Sequence, residues 1–162
     1  MTKHSEDVSG SAKAATAGRI LVGDVLVAGT AQSEKIVLDK PLSFWGGYDS
    51  EAGKIIDRTH PLVGESLAGK IMVMAHAKGS SSSSSVLAEA IRNGTGPLGI
   101  VLRERDLIIS IGAIVAAELY NLNVPVVCLG PVAFDEVVSA PGPLRIEAVG
   151  GEGGARVYLD SR

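Results

Sequence analysis

Apolar and polar positions change rhythm twice along this chain. Residues 1–17 are rich in Ser, Ala and charge and follow no period, which predicts a flexible N-terminal tail ahead of a single domain over 18–162. From Arg19 onward short β-rich runs appear: Ile20-Leu21-Val22 and Val25-Leu26-Val27-Ala28 with Gly23-Asp24 between them, then Ile36-Val37-Leu38, then Lys54-Ile55-Ile56-Asp57. Short strands with glycine turns predict an antiparallel or barrel-like first half. The rhythm then lengthens. Lys70 to Ala75 reads as a buried strand and Ser85 to Arg92 as a helix with Val86, Leu87, Ala90 and Ile91 on one face. Asn93-Gly94 is its C-terminal stop. Leu98 to Leu102 is a second strand, Asp106 caps a second helix running to about Leu122, and Val124 to Leu129 is a third strand. Strands alternating with helices imply right-handed βαβ crossovers and a parallel sheet. Leu144 to Val149 and Ala155 to Leu159 complete the pattern as two further strands. The expected class is mixed α/β, a β-rich, barrel-like part joined to a βαβαβ part, with no internal repeat.

Composition narrows the function. A chain of 162 residues suffices for one domain with a sizeable core. A net charge of −3 with scattered Lys and Arg leaves no basic stripe, which argues against nucleic-acid binding. A single cysteine, Cys128, excludes an internal disulfide and any self-contained Cys-ligated metal or iron–sulfur site. No apolar run is long enough to span a bilayer and the polar start is unlike a signal peptide, so a cytoplasmic protein is expected.

The richest stretch is Lys78-Gly79-Ser80-Ser81-Ser82-Ser83-Ser84-Ser85, set between a strand and a helix. One reading is a helix cap with solvated filler, which composition by itself favours. The other is a site where helix-start N–H groups and Lys78 stabilise a carboxylate, a phosphate or a serine alkoxide. Gly79, which permits close backbone approach, and the location at the C-terminal ends of parallel strands favour the second. The other concentrated feature is Pro41 to Asp49, which gathers the only Trp with Phe44, Tyr48 and the pair Gly46-Gly47. Such a loop either covers a ligand or partner or folds back on its own core. His60 and His76 lack an evident carboxylate partner, and Cys128 ends an apolar strand as a small hydrophobe. No Ser-His-Asp spacing, His-Glu-x-x-His or phosphate-loop motif is present.

Taken in order, Ser43-Phe44-Trp45-Gly46-Gly47, Gly53, Ile56-Asp57, His60-Pro61-Leu62, Gly64-Glu65-Ser66, Gly69-Lys70, Lys78-Gly79-Ser80-Ser81, Pro97, Asp106, Gly112 to Val115 and Pro125-Val126-Val127 resemble the swivelling domain of aconitase X. The resemblance covers about residues 19–149. It implies a swivelling β/β/α domain, a dehydration next to a carboxylate, and a large-subunit partner carrying the iron–sulfur cluster, with no cofactor on this chain. It also implies that the serine after the Lys-Gly pair, Ser80, is the general base. Because the serine run is longer than the usual pattern, Ser81, Ser82 or Ser84 remain alternatives in register. Around the base, Lys78, Gly79, Ser81, Ser82, Ser43, Phe44, Trp45, Gly46 and Gly47 are expected to contact substrate.

Two activities fit the resemblance: dehydration of cis-3-hydroxy-L-proline to Δ1-pyrroline-2-carboxylate, and dehydration of mevalonate 5-phosphate. The polar N-terminal extension, the modest charge content and the lack of a basic cluster beyond Lys78 favour hydroxyproline. Outside enzymology, the same turn serves a non-catalytic anion-binding or swivelling interaction module.

Overall fold

The computed structural model describes residues 18–150 and 153–159; the expected tail over 1–17 lies outside them. Ten strands are present among the described residues. The first three are β1 (Ile20–Val27), β2 (Gly29–Ser33) and β3 (Lys35–Leu38), followed by the two-residue strands β4 (Tyr48–Asp49) and β5 (Lys54–Ile55). Then come β6 (Ile71–Met74), helix α1 (Ser83–Asn93), β7 (Gly99–Leu102), α2 (Leu107–Tyr120), β8 (Val126–Cys128), α3 (Pro131–Ser139), β9 (Leu144–Ala148) and β10 (Ala155–Leu159).

Eight strands form one sheet in the order β2-β9-β10-β1-β8-β7-β6-β3. Its two ends, β2 and β3, are separated in sequence only by Glu34, so the sheet must curl until its edges nearly meet. The inside of this near-barrel is filled by Ile71, Val73, Val101, Val127, Ile146 and Val157. It is tight there: a Cβ on Gly99 would lie 3.1 Å from Ala31 Cβ and 3.0 Å from Ile146 Cδ1. The expected parallel strands are β6, β7 and β8; β3, read as part of an antiparallel or barrel-like first half, instead pairs parallel with β6, while β1, β2, β9 and β10 pair antiparallel. Alternation divides each parallel strand between two cores. Ile71 and Val73 face the barrel, whereas Met72 and Met74 face α1 and α2 on the outside, with Leu87, Ala90, Ile109 and Ala113.

Four local readings change. The two runs around Gly23-Asp24 are one strand, because Gly23 lies against β8; a Cβ there would stand 2.3 Å from Cys128 O. β2 carries too little alternation to read, and α3 was hidden in a run that only Pro131 at its first turn signals. α1 starts at Ser83, two residues before the expected Ser85, and ends as expected at Gly94 with φ +76°. The capping of α2 by Asp106 stands: Oδ1 accepts from Ile109 N at 2.9 Å, and Oδ2 from Ala77 N at 3.3 Å. Asp106→Ala is expected to cost about 1–2 kcal/mol, measured by urea denaturation, because it frees a helix-start amide and a loop amide together.

Candidate functional site

The serine turn stands where β6 ends and α1 begins, at the C-terminal ends of the parallel strands. After Ala75 the chain is held by neighbours: Arg103 N and Glu104 N both donate to Ala75 O at 3.0 Å, and Lys78 N donates to Leu42 O. Gly79 then adopts φ +103°, reversing the chain against Ser43. A first turn follows in which Ser83 N donates to Ser80 O at 2.9 Å and Ser84 N to Ser81 O at 3.2 Å.

The six serines divide by their bonds. Ser83 is buried, at 2% exposure; its Oγ accepts from Trp45 N at 3.0 Å and lies 3.4 Å from Ser43 Oγ. Ser84 Oγ donates to Ile108 O at 2.7 Å, and Ser85 Oγ donates to Ser82 O at 2.8 Å. These three are structural. Ser80, Ser81 and Ser82 are exposed, and of these Ser80 has its Oγ aimed at by an amide: Ser82 N donates to it at 3.0 Å. The amides of Gly79, Ser80 and Ser81 find no acceptor among the described residues. This is a small nest of free donors at the positive end of an 11-residue helix. The run thus divides into bonded hydroxyls at its end and open donors at its start, and the N-cap residue Ser82 makes no side-chain cap bond, unlike the cap-and-filler expectation.

Against the turn lies the segment Ser43–Gly47. Ser43 Oγ donates to Trp45 O at 3.0 Å, which leaves the Ser83 hydroxyl to donate toward Ser43. Gly46, at φ +81°, turns the chain so that Trp45 is 58% exposed beside the serines. Phe44, expected to contact substrate, is fully buried and packs against Tyr48 at a ring separation of 5.6 Å. Gly47 is also buried, with Leu42 Cδ1 3.2 Å from where its Cβ would be. Both are removed from the surface set: apolar burial of the ring anchors the turn, and only Ser43, Trp45 and Gly46 remain at its outer side. The aromatic loop therefore divides between core and surface.

Asp57, named above within the Ile56-Asp57 pair but given no site role, is a neighbour of the turn. Its carboxyl is held below the usual carboxylate range, first by the Thr59 hydroxyl at 2.7 Å and the Thr59 amide at 2.9 Å, and further by the positive charge of Lys78. The Asp-x-Thr spacing was the available signal, a side chain accepting from its own turn. His60 is buried and spent on structure: Nδ1 accepts from Leu62 N, which makes Nε2 the donor to Lys40 O, both at 3.0 Å. His76 Nδ1 is 3.0 Å from Ala77 O. Cys128 Sγ donates to Arg103 O, and partial burial pushes its thiol up, away from nucleophile character.

No three of His, Cys, Asp and Glu converge as metal ligands among the described residues. Nor is any helix among them long and apolar enough to cross a membrane. A cavity of about 340 Å³ does exist, at the other end of the sheet, lined by Thr30, Gly69, Pro97, Leu98 and Asn123 among others. It sits before β6, β7 and β8 rather than after them, away from the serine turn.

A family model for the aconitase X swivel domain matches residues 20–152. The chain is 44% identical over 122 residues to a cis-3-hydroxy-L-proline dehydratase of Pseudomonas aeruginosa, covering 75% of this chain and 21% of that protein. It is 41% identical over 96 residues to the phosphomevalonate dehydratase small subunit of Pyrococcus furiosus, covering 59% of this chain and 72% of that one. The chain thus spans about a fifth of the hydroxyproline dehydratases it matches, the one from Hypocrea jecorina included. In three dimensions it superposes on a chain of the crystal structure of Thermococcus kodakaraensis aconitase X with a TM-score of 0.70 and 31% identity, over 88% of this chain and 98% of that one. With the family model spanning nearly all of the described fold, and the same near-closed sheet in a solved relative, the chain belongs to the aconitase X swivel-domain family.

Proposed function

We propose that this chain is the swivelling subunit of an aconitase X-type hydro-lyase that dehydrates cis-3-hydroxy-L-proline together with a large subunit, with Ser80 as general base. The observation that carries the proposal is the Ser80 hydroxyl: exposed at the mouth of a βα crossover, accepting from Ser82 N, in a turn whose amides at Gly79, Ser80 and Ser81 have no acceptor among the described residues. A serine oxygen is a useful base only where its anion is stabilised, and preorganised N–H groups at a helix start do that. Ser80 Oγ takes the proton from C2 of the substrate, the electron pair forms the C2–C3 double bond, and the C3 hydroxyl leaves with a proton as water. The enamine then tautomerises to Δ1-pyrroline-2-carboxylate. The iron–sulfur cluster expected on the large subunit would assist departure of the hydroxyl. The open amides near Gly79 are suited to a substrate carboxylate.

Mevalonate 5-phosphate is the second reading, supported by the similarity to archaeal phosphomevalonate dehydratase small subunits. A phosphate asks for clustered positive charge, and Lys78 is the one cation in the run Lys78–Ser85. That favours hydroxyproline. The test is to co-purify the full chain with the aconitase X large subunit encoded in the same genome and to assay both substrates. Formation of Δ1-pyrroline-2-carboxylate is the expected result; turnover of mevalonate 5-phosphate alone would reverse the order of the two readings. An assembled pair inert on both, with anion binding by the chain alone, would favour the non-catalytic module.

A further inference from the structure

The outer face of α2 is apolar over its first two turns, and its one charged residue, the exposed Glu118, comes a turn after Ile114. In the 14 residues Leu107–Tyr120 only Glu118 is charged. The face turned toward α1 is explained by packing: a Cβ on Gly112 would come within 2.9 Å of Ser84 O and 3.0 Å of Leu87 Cδ2. The opposite face is a stripe at helical spacing, Leu107, Ile111 and Ile114, exposed by 74%, 40% and 44%. A helix apolar on all sides belongs inside a larger body, and a contiguous apolar stripe on a surface marks a contact.

The stripe begins at the serine turn. Ser84 Oγ donates to Ile108 O, and Asp106 accepts from Ala77 N, so Leu107 is fixed beside the residues that follow Ser80. On the other flank Trp45 is held by Ser83. The polar turn therefore lies between two exposed apolar features. An open, hydrated serine cannot be held as an alkoxide, so the chemistry proposed above needs a second surface that excludes water from this end of the molecule. A stable protein contact takes about 800 Å² from each partner, far more than a turn of six residues offers. The adjoining apolar surface is α2. The same fold unit is a fifth of one relative's chain and most of another relative named a small subunit, so where it is separate an interface must replace the covalent link.

We infer that the Leu107–Ile111–Ile114 stripe of α2 is the docking surface for the dehydratase large subunit, which closes over the serine turn as it binds. The inference rests on the function proposed above, but its measurement is association rather than catalysis. Full-length chain carrying Ile111→Glu and Ile114→Glu is titrated against the purified large subunit, and the dissociation constant is expected to rise at least about 30-fold. Leu107→Glu, at the most exposed position, provides a second variant if the pair of substitutions disturbs folding as judged by circular dichroism. Ser80→Ala should bind as the unaltered chain does while losing turnover. Folded variants that bind as tightly as the unaltered chain would overturn the inference, as would absence of any association between the unaltered subunits. It would equally be overturned if the stripe substitutions abolished a homodimer of the isolated chain and left the large subunit bound. A pair that associates through the stripe but dehydrates neither substrate would overturn the functional reading alone.

Discussion

Ser80→Ala is expected to lower the turnover of the assembled dehydratase by about 10²–10⁴-fold, the usual span for loss of a positioned base. Stability should hardly change, because Ser80 is exposed and its Oγ accepts a single amide, that of Ser82. Cap-type bonds of this kind contribute about 1 kcal/mol. The neighbouring serines provide the comparison. Ser81→Ala and Ser82→Ala remove exposed hydroxyls to which no amide is seen to donate, and should leave most of the activity. Ser84→Ala breaks the 2.7 Å bond to Ile108 O, so it should act on the α1–α2 contact and on thermal stability before it acts on turnover. Steady-state kinetics on the four variants, each checked by thermal melting, gives the ranking. Full activity in Ser80→Ala would remove it from the mechanism and return the base to another residue of the turn.

Gly79→Ala should be the most damaging small substitution in the chain's site. Two independent costs coincide. The backbone sits at φ +103°, where a side chain is strained by about 1–3 kcal/mol. The new Cβ would also stand 2.1 Å from Ser43 Oγ and 2.7 Å from Ser43 Cβ. Ser43 has little room to yield, since its hydroxyl is bonded to Trp45 O and faces the buried Ser83. Together these effects should destabilise the fold by about 2–4 kcal/mol, lowering the melting temperature by about 5–15 °C. Gly64→Ala separates the two terms: Gly64 has φ +91° but nothing within 4 Å of its would-be Cβ, so it should carry strain without collision. Pairing Gly79→Ala with Ser43→Gly should recover the collision part, a positive coupling measurable in a double-mutant cycle. If Gly79→Ala melts no lower than Gly64→Ala, the close approach of Gly79 to Ser43 is not a feature of the folded protein in solution.

The parts of the fold that were legible in the sequence are those where one periodicity operates alone. The run Lys70 to Ala75, the apolar face of α1, the Gly94 stop and the Asp106 cap all follow from local rules, since each depends on residues within a turn or two. The serine run was visible as a strand-to-helix turn for the same reason. What escaped was non-local. Gly23 reads as a break until β8 lies against it, and β2 becomes a strand because β9 offers it a ladder rather than because Gly29-Thr30-Ala31-Gln32-Ser33 alternates. Phe44 belongs by composition to an exposed aromatic loop, but the pocket formed with Tyr48 and Leu42 draws its ring inside.

The sequence by itself determined the alternation of β6, α1, β7, α2 and β8, the placing of a serine-rich turn at the head of a helix, and the family to which that order belongs. Tertiary structure decided which serines are free. Ser83, Ser84 and Ser85 are spent on Trp45, Ile108 and Ser82, and two of those three partners lie more than 20 residues away. Hydroxyl chemistry depends on which donors and acceptors converge on the oxygen, and six identical side chains in a row carry no local mark of that. Packing of the Trp45 turn and of α2 against α1 supplies the difference.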